Sequence, residues 1–222
     1  GWTTADAEPL IPQTALMGMS KPMVFDGIDD EVEFDSSITF SKDNTISMWV
    51  IPNEVDNYRS FFGKDATWAY IRMKQGSEST QIYGETDTDD DDLEIDAGET
   101  IFTVGKLTHM VLIWQSDKTW DLYIDGSFKA SSSATTDDEL TIDKIGSGYS
   151  TFPFMGIMNE VSIWDDALTL AEVQELFNDG VPLDANTHSA SDDDLVGYWR
   201  NDGTSTWEDR KGSNDGTPAG SP

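Results

Sequence analysis

Short stretches of alternating polar and apolar residues, cut at intervals by Gly, Asp and Ser, constrain this chain more than any other feature. In Thr45–Ile51, Ile46, Met48 and Val50 fall on one face and Ser47 and Trp49 on the other, the period-two pattern of a strand. Thr108–Trp114 and Trp120–Ile124 predict a hairpin, with Trp120, Leu122 and Ile124 on one face and Asp121, Tyr123 and Asp125 on the other. Met23–Phe25 and Val32–Phe34 read as a further strand pair joined by the Asp26-Gly27 turn. Ser60–Gly63, Tyr70–Lys74 and Gln81–Tyr83 are shorter strands, and Phe154–Trp164 is a long one with Gly156 as its expected bend. One helix is signed. Thr169 and Glu172 form a capping box, with Leu168 and Val173 placed as a hydrophobic staple. Leu170, Val173, Leu176 and Phe177 give its apolar stripe, and Gly180 and Pro182 end it. Many short strands with a single helix predict an all-β, two-sheet jelly-roll sandwich with one short helix near residues 169–178.

The 222 residues suit one large all-β domain. Residues 1–21 read as an extended N-terminal arm and 22–222 as the jelly roll. The 43 acidic residues outnumber the 13 basic ones, for a net charge of −30. Such a surface repels nucleic-acid phosphates and anionic lipid headgroups, which excludes both as partners. It attracts cations and tolerates salt, as in a marine or saline setting. The absence of cysteine excludes disulfides and thiolate metal sites. No apolar run is long enough to insert into a membrane. The N-terminus starts without Met and without the basic and apolar regions of a secretory signal, which reads as the result of a removed leading segment.

Four segments recur in a telling order: Phe25-Asp26-Gly27 leading into Glu31–Phe34, then Thr45–Val50, then Leu122–Gly126, and last Gly156–Trp164. That order, from about Met23 to Phe177, resembles the laminin-G-like, concanavalin A-like jelly-roll family. The tail has the character of a domain opening. Leu195–Arg200, Trp207-Glu208-Asp209 and Gly212–Thr217 resemble the first strand and turn of such domains. Residues 194–222 are therefore expected to supply a strand to the same domain, a permuted arrangement, with a truncated second repeat as the alternative. The stretch from Gly180 to Arg200 resembles the closing segment of jelly-roll proteins encoded by marine bacteriophages.

The resemblance implies a noncatalytic module, extracellular or carried on a virion, acting in attachment through glycans or in particle architecture with other virion proteins. Its oligomeric state is open. The alternative is a carbohydrate-binding module of a secreted marine polysaccharide-degrading enzyme, and behind that an enzyme of glucanase or lyase type.

The resemblance also implies a structural Ca²⁺, with Asp26, Asn159 and Glu160 at the matching positions. Asn159 stands where the family has Asp, which keeps an oxygen and drops a charge. The run Asp87–Asp92 imitates the start of an EF-hand loop, but Asp92 occupies the glycine position and Gly98 the glutamate position, so it reads as a solvated acidic loop. Glu31, Glu33 and Asp35 would share a strand face without the carboxylate order of family 16 glucanases, and read as solvated rather than catalytic. His109 reads as a packed core histidine, and His188 lies in a loop. Glycan recognition needs flat aromatics and polar forks. The candidates are Tyr58, Trp68, Tyr70, Tyr149 and Phe152 in or beside Gly/Asp/Ser-rich loops, with Arg59 among the polar groups.

Overall fold

The computed structural model describes residues 24–55, 57–64, 69–74, 79–85, 92–132, 139–148, 152–200 and 206–220. The expected N-terminal arm and the acidic run 87–91 lie outside these residues, as do Trp68 and Tyr149.

Two seven-stranded antiparallel sheets face one another. Sheet A contains β1 (Val24–Asp26), β3 (Asn44–Pro52), β8 (Thr108–Trp114), β9 (Trp120–Ile124), β10 (Ser127–Ser131), β12 (Met155–Trp164) and β13 (Leu195–Trp199). Sheet B contains β2 (Glu31–Phe40), β4 (Arg59–Gly63), β5 (Tyr70–Met73), β6 (Gln81–Glu85), β7 (Asp92–Asp96), β11 (Leu140–Ile145) and β14 (Gly216–Ala219). Their order is β1-β12-β3-β8-β9-β10 in sheet A, with β13 also on β12, and β14-β2-β11-β4-β5-β6-β7 in sheet B.

Alternation decides which side chains meet between the sheets. Ile46, Met48 and Val50 of β3, and Trp120, Leu122 and Ile124 of β9, join Ile71, Met73, Ile82, Leu93 and Ile95 of sheet B in one core. The opposite face of sheet A is covered as well. The helix α1 (Leu170–Phe177) lays Val173 and Leu176 over Val111, Ile113, Tyr123, Trp164 and Tyr198. With apolar contact on both faces, every residue of β8 is buried. The capping box of α1 is present: Glu172 N donates to Thr169 Oγ1, and Thr169 N donates to Glu172 Oε2. Leu170, expected in the stripe, is half-exposed, and the helix turns off at Asn178 in the left-handed region, before Gly180.

One expectation is corrected. Val24–Asp26 and Glu31–Phe40 do not form a hairpin, because β1 pairs with β12 in sheet A and β2 pairs with β11 and β14 in sheet B. The Asp26-Gly27 turn instead carries the chain from one sheet to the other, and period two alone does not say which sheet a strand joins. Gly156 adopts φ 144° with its pairing to Pro52 kept, and a further irregularity lies between Asn159 and Ser162, where Glu160 adopts φ 51° and the register with β3 shifts.

The tail completes both sheets. β13 pairs with Val161–Trp164 of β12 on the side where β1 pairs with Met155–Ile157, so the two short strands share one edge. β14 pairs with Glu31–Phe34 and forms the edge of sheet B. Between them, the Asp209 carboxylate accepts hydrogen bonds from the backbone N–H groups of Tyr198, Lys211, Gly212 and Asn214. Trp199 and Trp207 are buried in the main core. No helix among the described residues is long and apolar enough to cross a membrane.

Candidate functional site

Helix α1 closes the outer face of sheet A, and the outer face of sheet B gathers the aromatic residues. On β5, Ile71 and Met73 point into the core, so Tyr70 and Arg72 stand on the other face. On β6, Ile82 points inward, and Tyr83 and Glu85 stand outward. The register sets Tyr70 opposite Glu85 and Arg72 opposite Tyr83. Ser60 of β4 pairs with Arg72 on one side, and on its other side it meets Pro153 and donates its N–H to the Phe152 carbonyl. Tyr58 and Phe152 are thereby brought together at the same height as Arg72.

The result is one cluster. The Arg72 guanidinium carbon lies 4.2 Å from the centroids of Tyr58 and Tyr70, and 5.2 Å from those of Tyr83 and Phe152. Tyr58 and Phe152 are 5.1 Å apart and Tyr70 and Tyr83 6.0 Å apart, all tilted. These distances are in the range of cation–π attraction. The Tyr70 hydroxyl donates to Glu85 Oε2, and its acidity is suppressed first by burial and then by that bond. At the flank, Lys74 pairs with Glu94 at 2.7 Å. Tyr58, Arg72, Tyr83 and Phe152 all keep part of their surface open to solvent. Chemically, such a cluster offers ring faces for sugar C–H groups, a cationic donor and a carboxylate acceptor.

Of the candidates named from sequence, Tyr58, Tyr70 and Phe152 meet here. Arg59 does not: its guanidinium is held by Glu54 and by the Pro153 carbonyl. Arg72, Tyr83 and Glu85 carry no such loop signal in the sequence, because they sit within strands. The signal was present in the outward positions of neighbouring strands, Tyr70-x-Arg72 and Tyr83-x-Glu85.

The expected metal set is divided. Asp26 is level with Met155 on β12, and Asn159 lies four residues further along that strand, about 13 Å at ordinary strand rise. Glu160 is 3% exposed and already engaged by the Tyr198 hydroxyl and by Arg200 Nε at 2.8 Å, with Asn159 Nδ2 donating at 3.2 Å. Burial pushes its carboxyl up to about 7, against the pull of Tyr198 and Arg200. Asp26 instead converges with Asp29 and Asp30, one carboxylate oxygen of each lying within 4.8 Å of the others. Oxygens on a shared Ca²⁺ stand at most about 5 Å apart, a spacing that Asp26, Asp29 and Asp30 meet among themselves. The Asp30 carboxyl is raised, first by burial, and Oδ2 accepts the Asp26 N–H at 2.7 Å.

Other groups lend themselves to chemistry less well. Glu31, Glu33 and Asp35 alternate with the buried Val32 and Phe34 on β2, and Glu31 is taken by Lys144 at 3.0 Å. Ser47 Oγ is 2.8 Å from His109 Nε2, but His109 Nδ1 has no partner among the described residues and Asp125 accepts the His109 backbone N–H instead. Both side chains are buried, and burial lowers the imidazole to about 3, so this trio has neither a relay nor access to substrate. Trp49 and Phe177 stack on the ring, as expected of a core histidine.

The family model described as the concanavalin A-like lectin/glucanases superfamily, Laminin_G_3, matches residues 26–174. The chain belongs to that superfamily. As a Laminin_G_3 chain it shares its fold with several solved structures. A candidate carbohydrate-binding protein from Bacteroides ovatus aligns with TM-score 0.58 and 17% identity, over 90% of this chain and 60% of that one. A SAP-like pentraxin from Limulus polyphemus aligns with TM-score 0.56 and 17% identity, over 81% and 91%. Domain 4 of AbnA, an extracellular GH43 arabinanase from Geobacillus stearothermophilus solved with arabinotriose, gives TM-score 0.50 and 24% identity, over 61% and 66%. The chain thus spans about three fifths of the Bacteroides protein. No curated protein sequence matches it.

Proposed function

We propose that this chain is a noncatalytic carbohydrate-binding module, displayed outside the cell or on a virion, that holds glycans on the outer face of sheet B. The observation that carries the reading is the gathering of Tyr58, Tyr70, Tyr83 and Phe152 around Arg72. Tyr58, Tyr83 and Phe152, partly open to solvent, supply stacking surfaces above the buried Tyr70, the guanidinium donates to hydroxyls, and Glu85 accepts. The Bacteroides protein and the arabinotriose-bound domain support a sugar ligand. The resemblance of residues 180–200 to phage jelly-roll proteins, with the charge of −30, supports the virion setting.

A shallow rim of this kind buries little ligand surface, so each site binds in the micromolar to millimolar range, about −4 to −8 kcal/mol. Display in many copies then raises avidity by roughly a hundredfold or more. A structural Ca²⁺ is proposed at Asp26, Asp29 and Asp30, where it would neutralise the crowded carboxylates of the inter-sheet turn.

The test is a glycan array probed with multimerised protein, beside a reducing-sugar assay on marine polysaccharides. Binding that disappears in Tyr83→Ala and Tyr58→Ala, with no sugar release, is the expected result. Release of reducing ends overturns the noncatalytic reading, and silence across the array shifts the function to particle architecture.

A further inference from the structure

Carboxylates abound on this chain, yet none among the described residues pairs with Arg72. Arg59 is held by Glu54, and Arg200 by Glu160 with Asp184 nearby. Lys74, Lys106, Lys129 and Lys144 each meet a carboxylate. Among the described residues Arg72 has four rings against it and no carboxylate, and its buried Nε has no hydrogen-bond partner among them. The neighbouring acids on the same face are occupied elsewhere: Glu85 by the Tyr70 hydroxyl and Glu94 by Lys74. The strand register enforces this, because it places Tyr83, not an acid, directly across from Arg72.

A guanidinium partly stripped of water between aromatic rings, with no counter-ion among the described residues, favours an anion brought from outside. Its planar fork matches paired anionic oxygens, which a carboxylate or a sulfate ester presents and a single neutral hydroxyl does not. Resting on the glycan-binding reading above, we infer that the sheet B site selects acidic sugars, with the sugar ring on the tyrosine faces and its carboxylate or sulfate on Arg72. The charge of −30 opposes a polyanion at long range. At about 0.15 M salt, charges beyond roughly 8 Å are screened, and the contact at Arg72 decides. A dense polyphosphate remains excluded, whereas a glycan with one acid group seated on Arg72 does not.

The experiment uses the whole chain in 0.15 M salt on an array of matched glycan sets. Each set holds a uronate oligomer, its carboxyl-reduced neutral form and a sulfated form, in gluco, galacto and manno configurations. Hits are then titrated by calorimetry. The expected result is a preference of tenfold or more for an acidic member over its neutral partner, with the uronate and sulfate arms naming the acid. Arg72→Gln should bring the acidic ligand down to the neutral level, while Arg72→Lys keeps part of the preference through charge without the fork. Unchanged melting temperatures certify the fold of both variants. Neutral partners binding equally well, or Arg72→Gln keeping the preference, overturns acid selection and leaves glycan binding standing. Silence of every set removes both.

Discussion

The Tyr198 hydroxyl of β13 donates to the Glu160 carboxylate of β12, so β13 is fastened to the residue whose left-handed backbone breaks the register of β12 with β3. Arg200, just past β13, reaches the other oxygen of the same carboxylate. One buried acid therefore joins the tail to the middle of sheet A.

Glu160 and His109 should oppose each other in the dependence of stability on pH. The Glu160 carboxyl rises from 4.5 to about 7 on folding, so its contribution is complete below pH 4.5 and is lost as pH climbs through 7. The His109 imidazole falls from 6.5 to about 3, so its contribution is complete above pH 6.5 and is lost as pH drops toward 3. Each changes stability by about 1.4 kcal/mol per pH unit, with opposite sign where the windows overlap. Urea melts of Glu160→Gln should therefore lose roughly 2 kcal/mol more than the parent protein between pH 6.5 and 4.5. Parallel curves for the two proteins would refute the assignment.

Asp209→Ala removes the acceptor for four backbone N–H groups of the tail turn. Leaving buried donors unsatisfied costs about 1–3 kcal/mol each, tempered by the water that can enter here. A loss of roughly 3 kcal/mol is expected in chemical denaturation. Asp209→Asn keeps one acceptor oxygen and should recover part of it, whereas equal losses in both variants would point to charge rather than to hydrogen bonding.

Ca²⁺ at the inter-sheet turn should raise the melting temperature at constant ionic strength, the gain being about 2.7 kcal/mol at a hundredfold excess over the dissociation constant. Asp26→Ala should abolish the difference between Ca²⁺ and chelator, and Glu160→Gln should leave it intact. Identical melts with and without the ion exclude a structural metal.

Gly156 is fixed by close approach and by its backbone conformation. An added Cβ would sit 2.2 Å from the Ile51 carbonyl oxygen, and φ is 144°. Gly156→Ala should cost at least about 3 kcal/mol, since backbone on both strands must move. A cost below 1 kcal/mol, measured by denaturant melts, runs against this account.

Much of the architecture was legible in the residues. The alternation in Thr45–Ile51 and in the Thr108–Ile124 hairpin named the correct inward faces, and the Thr169–Glu172 box located the helix. Sheet membership was not legible for Val24–Asp26 and Glu31–Phe40, because alternation specifies a face and not a partner. The bulge at Glu160 was hidden for a similar reason: Glu carries no bias toward φ > 0 that would mark it. At the candidate site, Tyr58, Tyr70 and Phe152 were visible as loop-associated aromatics. Arg72 and Tyr83 were not, since only the cross-strand register sets them face to face.

The two strands contributed by the tail have a kinetic consequence. The contact between Ser36 and Asn214 spans 178 positions, and β14 reaches β2 across a comparable length of chain. Contacts so remote in sequence close slowly. During synthesis, β2 leaves the ribosome long before its partner strand β14 exists, whereas β13 follows β12 within about 40 residues. The nascent sandwich thus waits with an open margin on sheet B until the last residues emerge, the kind of unpaired edge that invites pairing with another chain.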